Sequence, residues 1–454
     1  MTRSDAAGEV RPRPAGIDAV TVLTVYLVLL LAVPSSYAIS ALGSAGKPAA
    51  LWALGAALWW AASRVQRFVP SRSDARAVKI GIFAFGGAVL VSYAVAMLRG
   101  LSPDEVSPAD GSILRLVGWL GIALVASDGI DDRDRFRTLL RRVVIAGTLM
   151  ALLGLLQFVT GQSLLDWVSI PGFSSDVSGL AGVQSRGGFV RASGTAIHPL
   201  EYGTVLCVAF PIAVALAIED HARPTLPRWL PVFVIGAASM LAVSRSTLVG
   251  LAAGVALLVP GWSRGVKVGF AIVSALTIAA VGVLVPGMVG TLRGLFLGIG
   301  GDASTGSRLA SVDSMTDMLA RFPVSGKGFG TFLPVYHILD NQYLLLTIET
   351  GILGLTAFLA LIACAIWSAW KARRITTDPL DRSLVQSVLA STVAAAVLLA
   401  FFDGFSFPMS AGLMFLLIGL CGGSLRLSLR QQREAAIRLP LRQSSPSSSI
   451  PQHS

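Results

Sequence analysis

The sequence predicts an all-α, polytopic integral membrane protein with about twelve transmembrane helices and two longer extracytoplasmic loops. Three observations lead there. Apolar residues make up 54% of the chain and charged residues only 13%, with a mean hydropathy of +0.72, a balance that no water-exposed globular surface tolerates. A spanning helix needs roughly 20 mostly apolar residues to cross about 30 Å of hydrocarbon, and twelve stretches bounded by charge, Pro or Gly approach that length. Finally, Lys and Arg crowd onto alternate connections between those stretches, as positive residues retained in the cytoplasm do.

In order, the stretches are Ile17–Tyr37, Pro48–Ala62, Ile80–Leu98, Ile113–Ala126, Val143–Thr160, Pro199–Ile218, Leu230–Val243, Thr247–Pro260, Val268–Val289, Thr347–Trp370, Leu384–Phe402 and Phe407–Leu425. With the N-terminus inside, 26 of the 36 basic residues fall on inner segments and 9 on outer ones, and Arg115 lies within a span. Both termini are therefore expected on the cytoplasmic side of a multi-pass protein of the cell membrane. The formal charge of +11 then reflects this topological bias and attraction to anionic headgroups, so the bilayer is the expected partner and nucleic acid is not. The first apolar run follows Arg3, Arg11 and Arg13 and could serve as a secretory signal, but the spans after it favour an uncleaved helix. Cys207, Cys364 and Cys421 all lie in apolar stretches, so neither a disulfide framework nor a zinc site is expected.

The chain divides into a cytoplasmic tail (1–16), a membrane domain (17–425) and a basic, then Ser/Pro-rich tail (426–454) whose end is expected to be disordered. Most connections are short. The outer loops 161–198 and 290–346 are long, rich in Gly and mixed in polarity, which suggests folded caps that carry function. Within the second, Ser307 to Arg321 has the spacing of an amphipathic helix.

Residues able to do chemistry collect on that outer side. Arg191-Ala192-Ser193-Gly194 precedes His198-Pro199-Leu200-Glu201 at a span entry, and Ser244-Arg245-Ser246 fills a tight turn. Arg308 precedes Phe322-Pro323-Val324-Ser325-Gly326-Lys327-Gly328-Phe329-Gly330-Thr331-Phe332, and His337 precedes Asp340-Asn341-Gln342-Tyr343-Leu344 and then Glu349-Thr350-Gly351. Taken in order and spacing, these elements resemble the O-antigen ligase and polymerase superfamily, most strongly from Ser244 to Phe358.

That resemblance implies a helical membrane enzyme of about a dozen spans, a glycosyltransferase acting outside the cytoplasmic membrane. It would move a glycan from a polyprenyl diphosphate carrier to an acceptor hydroxyl, on a glycan or lipid, with inversion, and with no cofactor and no required metal. Guanidinium groups fork onto phosphate oxygens and suit a departing diphosphate, which makes Arg191, Arg245 and Arg308 candidates to bind it. The family's ligases carry a basic His where this sequence has Asp340. A carboxylate can still deprotonate a hydroxyl, so Asp340 and His337 are the candidate bases, with Asn341, Tyr343, Glu349 and His198 in support.

Each residue also has a plainer reading. The three arginines could be loop surface, His198 and His337 structural polar groups, and Glu349 a cap or an ion-pair partner. Arg115 is expected to snorkel to the outer interface, the Gly326, Gly328, Gly330 series to form a tight turn rather than a phosphate loop, and Asp132-Arg133-Asp134 to be a solvated loop. A secondary transporter or flippase for lipid-linked oligosaccharide is the competing class, and it would place ionisable groups near mid-membrane on broken helices.

Overall fold

The computed structural model describes residues 18–66, 76–165, 168, 170–175, 184–186, 189–297, 320–336 and 338–443. Its helices are α1 (Ala19–Leu31), α2 (Pro48–Gln66), α3 (Ala77–Arg99), α4 (Pro103–Gly129), α5 (Arg133–Thr160), α6 (Pro199–Glu219), α7 (Thr225–Leu241) and α8 (Arg245–Leu258). These are followed by α9 (Arg264–Leu284), α10 (Met288–Leu297), α11 (Gln342–Ile375), α12 (Pro379–Leu398) and α13 (Pro408–Gln443). Each of the twelve apolar stretches falls on one of these helices. Seven are long and apolar enough to cross a membrane by length and composition, while α1, α7 and the α8 region are shorter apolar helices. The chain is thus an all-α polytopic membrane protein, with only short strands among the described residues: β1 (Tyr37–Ile39) pairs antiparallel with β2 (Phe173–Ser175), and β3 (Gln184–Arg186) with β4 (Phe189–Arg191).

Caps rather than composition fix where the helices begin. Asp18, Asp132 and Ser244 accept hydrogen bonds from the backbone N–H three residues on, and Pro occupies the first turn of α4, α6 and α12, where its missing N–H costs nothing. Helices α6 and α13 form the enclosed centre, their apolar windows 94% and 89% buried, whereas α9 is peripheral at 6%. Close contact of α13 with α4 needs Gly419, where a Cβ would strike the carbonyl of Ala123. Small residues at such crossings let backbones approach and gain dispersion contacts, which drive helix association in lipid. α13 continues as helix to Gln443, well past the end of its apolar stretch at Leu425.

One end of the bundle is knotted by ion pairs. Arg135 binds Asp18, Arg64 and Lys79 share Asp128, Arg137 reaches Asp381 at 2.7 Å and Asp378 at 3.1 Å, and Arg141 reaches Asp220 at 2.8 Å. Arg133 lies 3.8 Å from Asp381 and donates to Ser428 at 2.6 Å, while Asp132 caps α5. The expectation of a solvated loop at Asp132-Arg133-Asp134 is therefore corrected. Ion pairing between helix ends has taken up Arg133 and capping has taken up Asp132, and only Asp134 stays largely exposed.

The sharpest irregularity lies at the other end. α11 breaks at Gly351 (φ 63°, ψ −167°), and the Phe322–Gly330 segment fills the break. Lys327 and Gly328 donate to the carbonyls of Ile348 and Glu349 at 2.8 Å each, while Ile352 and Leu353 donate to Pro323 and Val324 at 3.0 and 3.3 Å. The glycine series thus serves close backbone approach, since a Cβ at Gly326 would meet the Glu349 carbonyl. The amphipathic helix expected from Ser307 lies outside the described residues, apart from Ala320 and Arg321, which are helical.

Candidate functional site

The starts of α6, α8, α11 and α13 meet the end of α12 at the face opposite the ion-pair knot. Thr247 of α8 accepts from Cys207 Sγ of α6 at 3.2 Å through its carbonyl. The His198 ring lies 5.6 Å from Phe407, which in turn lies 5.5 Å from Phe402. Gln342 N–H donates to the Leu399 and Phe402 carbonyls at 2.8 and 3.1 Å, and Gln342 Oε1 accepts from Phe405 N–H at 2.7 Å. These contacts tie segments from His198 to Phe407 into one corner.

The Arg191–His198 segment is held there by two buried side chains. Gln157 of α5, 2% exposed, accepts from Ser193 and Gly194 N–H at 3.1 and 2.7 Å and donates to the Gly194 and Ser163 carbonyls at 2.9 and 2.6 Å. Glu201, fully buried, accepts from Ser35 Oγ at 2.8 Å, Ile197 N–H at 3.1 Å and Met409 N–H at 2.7 Å. Four hydrogen bonds on Gln157 and three on Glu201 make each a joint rather than a catalyst.

Arg191 ends β4, half-buried. Its charge is close enough to His198 to act on it: burial first, and then Arg191, push the His198 pKa down to about 4. His198 caps α6, with Nδ1 accepting from Leu200 N–H at 3.2 Å. A neutral imidazole whose Nδ1 is already engaged has only Nε2 to offer, as a donor. His198 is thus a structural group bordering the arginine.

Arg245 opens α8, half-buried between buried Ser244 and Ser246. The segments that carry the two arginines adjoin through one apolar cluster, in which Phe189 of β4 packs with Leu241 and Val243. Arg308 and His337 lie outside the described residues.

Asp340 is half-buried in the bend before α11. Asn341 beside it caps the helix, accepting from Tyr343 and Leu344 N–H at 2.9 and 3.2 Å, and Tyr343 Oη donates to the Ala396 carbonyl at 2.7 Å. Both supporting residues hold the bend in place. A residue not singled out from the sequence, Asp403, lies within electrostatic reach of Asp340. Burial, opposed by a bond with Ser406 and assisted by the Asp340 charge, raises its pKa to about 6. Nothing in the local pattern Phe402-Asp403-Gly404 distinguishes it from an ordinary turn.

Glu349 does not join that corner directly. It is buried two residues before the Gly351 break, 3.4 Å from Phe332 N–H, with Arg115 as a charged neighbour. Arg115 does not snorkel out. It donates to Ser112 Oγ at 2.9 Å and, with Glu349 and Asp403, lines a cavity of about 250 Å³. Among the described residues no group of three or more His, Cys, Asp or Glu side chains is placed to hold a metal.

Residues 230–359 match the family model for O-antigen ligase. No curated protein matches the chain. The matched stretch takes in Arg245, Arg308, Asp340 and Glu349, and leaves Arg191, His198, Arg115 and Asp403 outside it. The superfamily resemblance read from the motifs is thereby borne out: from α7 to the middle of α11, across residues 230–359, the chain carries the O-antigen ligase domain.

Proposed function

We propose that the protein is an outer-face glycosyltransferase of surface-polysaccharide assembly, moving a glycan from a polyprenyl diphosphate carrier to an acceptor hydroxyl, as O-antigen ligases and polymerases do. Arg191, Arg245 and Arg308 bind the diphosphate and Asp340 is the base. Asp340 takes the acceptor proton as the acceptor oxygen forms its bond to the anomeric carbon, and the bond from that carbon to the diphosphate oxygen breaks. The displacement inverts the anomeric centre, and the leaving diphosphate carries its new charge into the guanidinium groups. The positive charge that a divalent cation would otherwise supply comes from arginine. His337 remains the alternative base.

The observation that carries this reading is that the segments bearing Arg191, Arg245 and Asp340 all lie at the end of the bundle opposite the ion-pair knot. Asp340→Asn keeps shape while removing basicity. Turnover in purified transfer should fall roughly 100- to 10,000-fold with donor binding intact, and near-normal transfer would end the assignment.

A second reading, secondary transport of lipid-linked oligosaccharide, draws on the broken α11 and the buried Arg115 and Glu349. The freed backbone groups at Gly351 are satisfied by the chain's own Phe322–Gly330 segment, and that favours the enzyme. Transfer by detergent-solubilised protein, where no compartments exist, separates the two.

A further inference from the structure

We propose that the cavity between α4, the start of α11 and the Asp403 turn is the subsite for one neutral sugar ring of the acceptor, which it presents to Asp340. The inference rests on the transferase reading above and adds the place and chemistry of the acceptor.

Six side chains carry it. Arg115, Gln342, Glu349, Asp403, Trp119 and Phe332 all line the cavity. Gln342 is fully buried, and its Nε2 has no hydrogen-bond partner among the described residues, although Oε1 is committed to Phe405. Nε of Arg115 is likewise buried and has no hydrogen-bond partner among them. Unpaired buried donors cost about 1–3 kcal/mol each, so a wall carrying two of them fits a ligand that brings acceptor oxygens. The same wall carries the carboxyl groups of Glu349 and Asp403, whose oxygens accept from hydroxyl donors.

A ligand that both accepts and donates, with an apolar face for the aromatic rings, is polyhydroxylated. With a single guanidinium and the Asp403 carboxyl beside it, the cavity lacks the several cationic donors that the donor's diphosphate needs. At about 250 Å³ the cavity lies just below the usual small-molecule range of roughly 300–1,000 Å³, the scale of a single ring. Leu339 and Gln342 both line it, so the bend bearing Asp340 forms its edge.

The test uses full-length protein in detergent, with lipid-linked glycan extracted from the producing cells as donor and surface glycan from a deletion strain as acceptor. Gln342→Glu keeps an oxygen for Phe405 while removing the free donor. Asp403→Asn changes a carboxylate to an amide of the same shape. Each should raise the acceptor KM about tenfold, the value of one lost hydrogen bond, with donor KM within twofold. An unchanged acceptor KM in both variants, or a rise in donor KM instead, overturns the subsite while leaving the transferase reading intact. Absence of transfer by the unaltered protein overturns that reading, and the subsite with it.

Discussion

Replacing Gln157 with Leu should release the arginine-bearing segment without disturbing the bundle. The side chain makes four hydrogen bonds, two of them to Gly194 N–H and C=O in fully buried positions. Leu fills similar space but strands those two groups at about 1–3 kcal/mol each, while Ser193 N–H and Ser163 C=O are half-exposed and can turn to water. The expected cost is therefore about 2–6 kcal/mol. Local detachment of residues 192–197 avoids most of it, so the segment should leave before the helices melt. Limited trypsin digestion in detergent, with sequencing of the new N-terminus, should show rapid cleavage after Arg191 in the variant and slow cleavage in the parent. Donor KM should rise while the thermal midpoint moves little. A variant as resistant to trypsin as its parent, with unchanged donor KM, would refute Gln157 as the joint that positions Arg191.

Four further outcomes are expected. Gly351→Ala forces a Cβ against the Val324 carbonyl at a positive φ; strain of about 1–3 kcal/mol and loss of the four bridging hydrogen bonds should lower the melting temperature sharply, and a wild-type melt would show that the break is not needed. The Asp403 carboxyl has a folded pKa of about 6, above its usual value of 3.8, so its contribution to stability is complete below about pH 4 and is lost as pH rises through 6. Asp403→Asn should remove that slope and gain on the parent by about 3 kcal/mol by pH 7.5, with parallel melting curves from pH 4.5 to 7.5 as the contrary result. Ser185→Cys should react with an impermeant thiol reagent in intact cells and Gln431→Cys should not, each in a background lacking the native cysteines; the reverse pattern would invert the topology. Transfer should persist after exhaustive chelation, and loss restored by magnesium or manganese would count against arginine as the source of positive charge.

What the sequence made legible follows from the range of each signal. Hydropathy is local, so all twelve apolar stretches coincide with helices, and the arginine and Asp340 motifs sit at helix starts because Ser244, Asn341 and His198 are capping residues. Asp403 was illegible. Its meaning comes from the Gln342 N–H reaching the Leu399 and Phe402 carbonyls, a docking between helix ends that no local pattern encodes. Gln157 and the cavity role of Arg115 were hidden differently, because Gly194 and Glu349, the groups that give these residues their places, lie on other segments of the chain. The glycine series was recognised as backbone chemistry, but the helix it packs into could not be foreseen, because a break at Gly351 leaves hydropathy unchanged.

The ion-pair knot bears on how such a chain could be assembled. Arg133 and Arg137 of α5 find Asp378 and Asp381 only at the start of α12, 241 to 248 residues later. Until that helix arrives, Arg133 lacks its carboxylate partner and Arg137 has only the exposed Asp134 of its own helix, which leaves both to act as the signals that set α5's direction. Arrival of α12 then cancels much of that charge and turns an orientation signal into a latch. A chain ending before Asp378 should therefore insert with the correct polarity yet keep α5 loosely docked, so that direction and compactness are separable events in the life of one molecule.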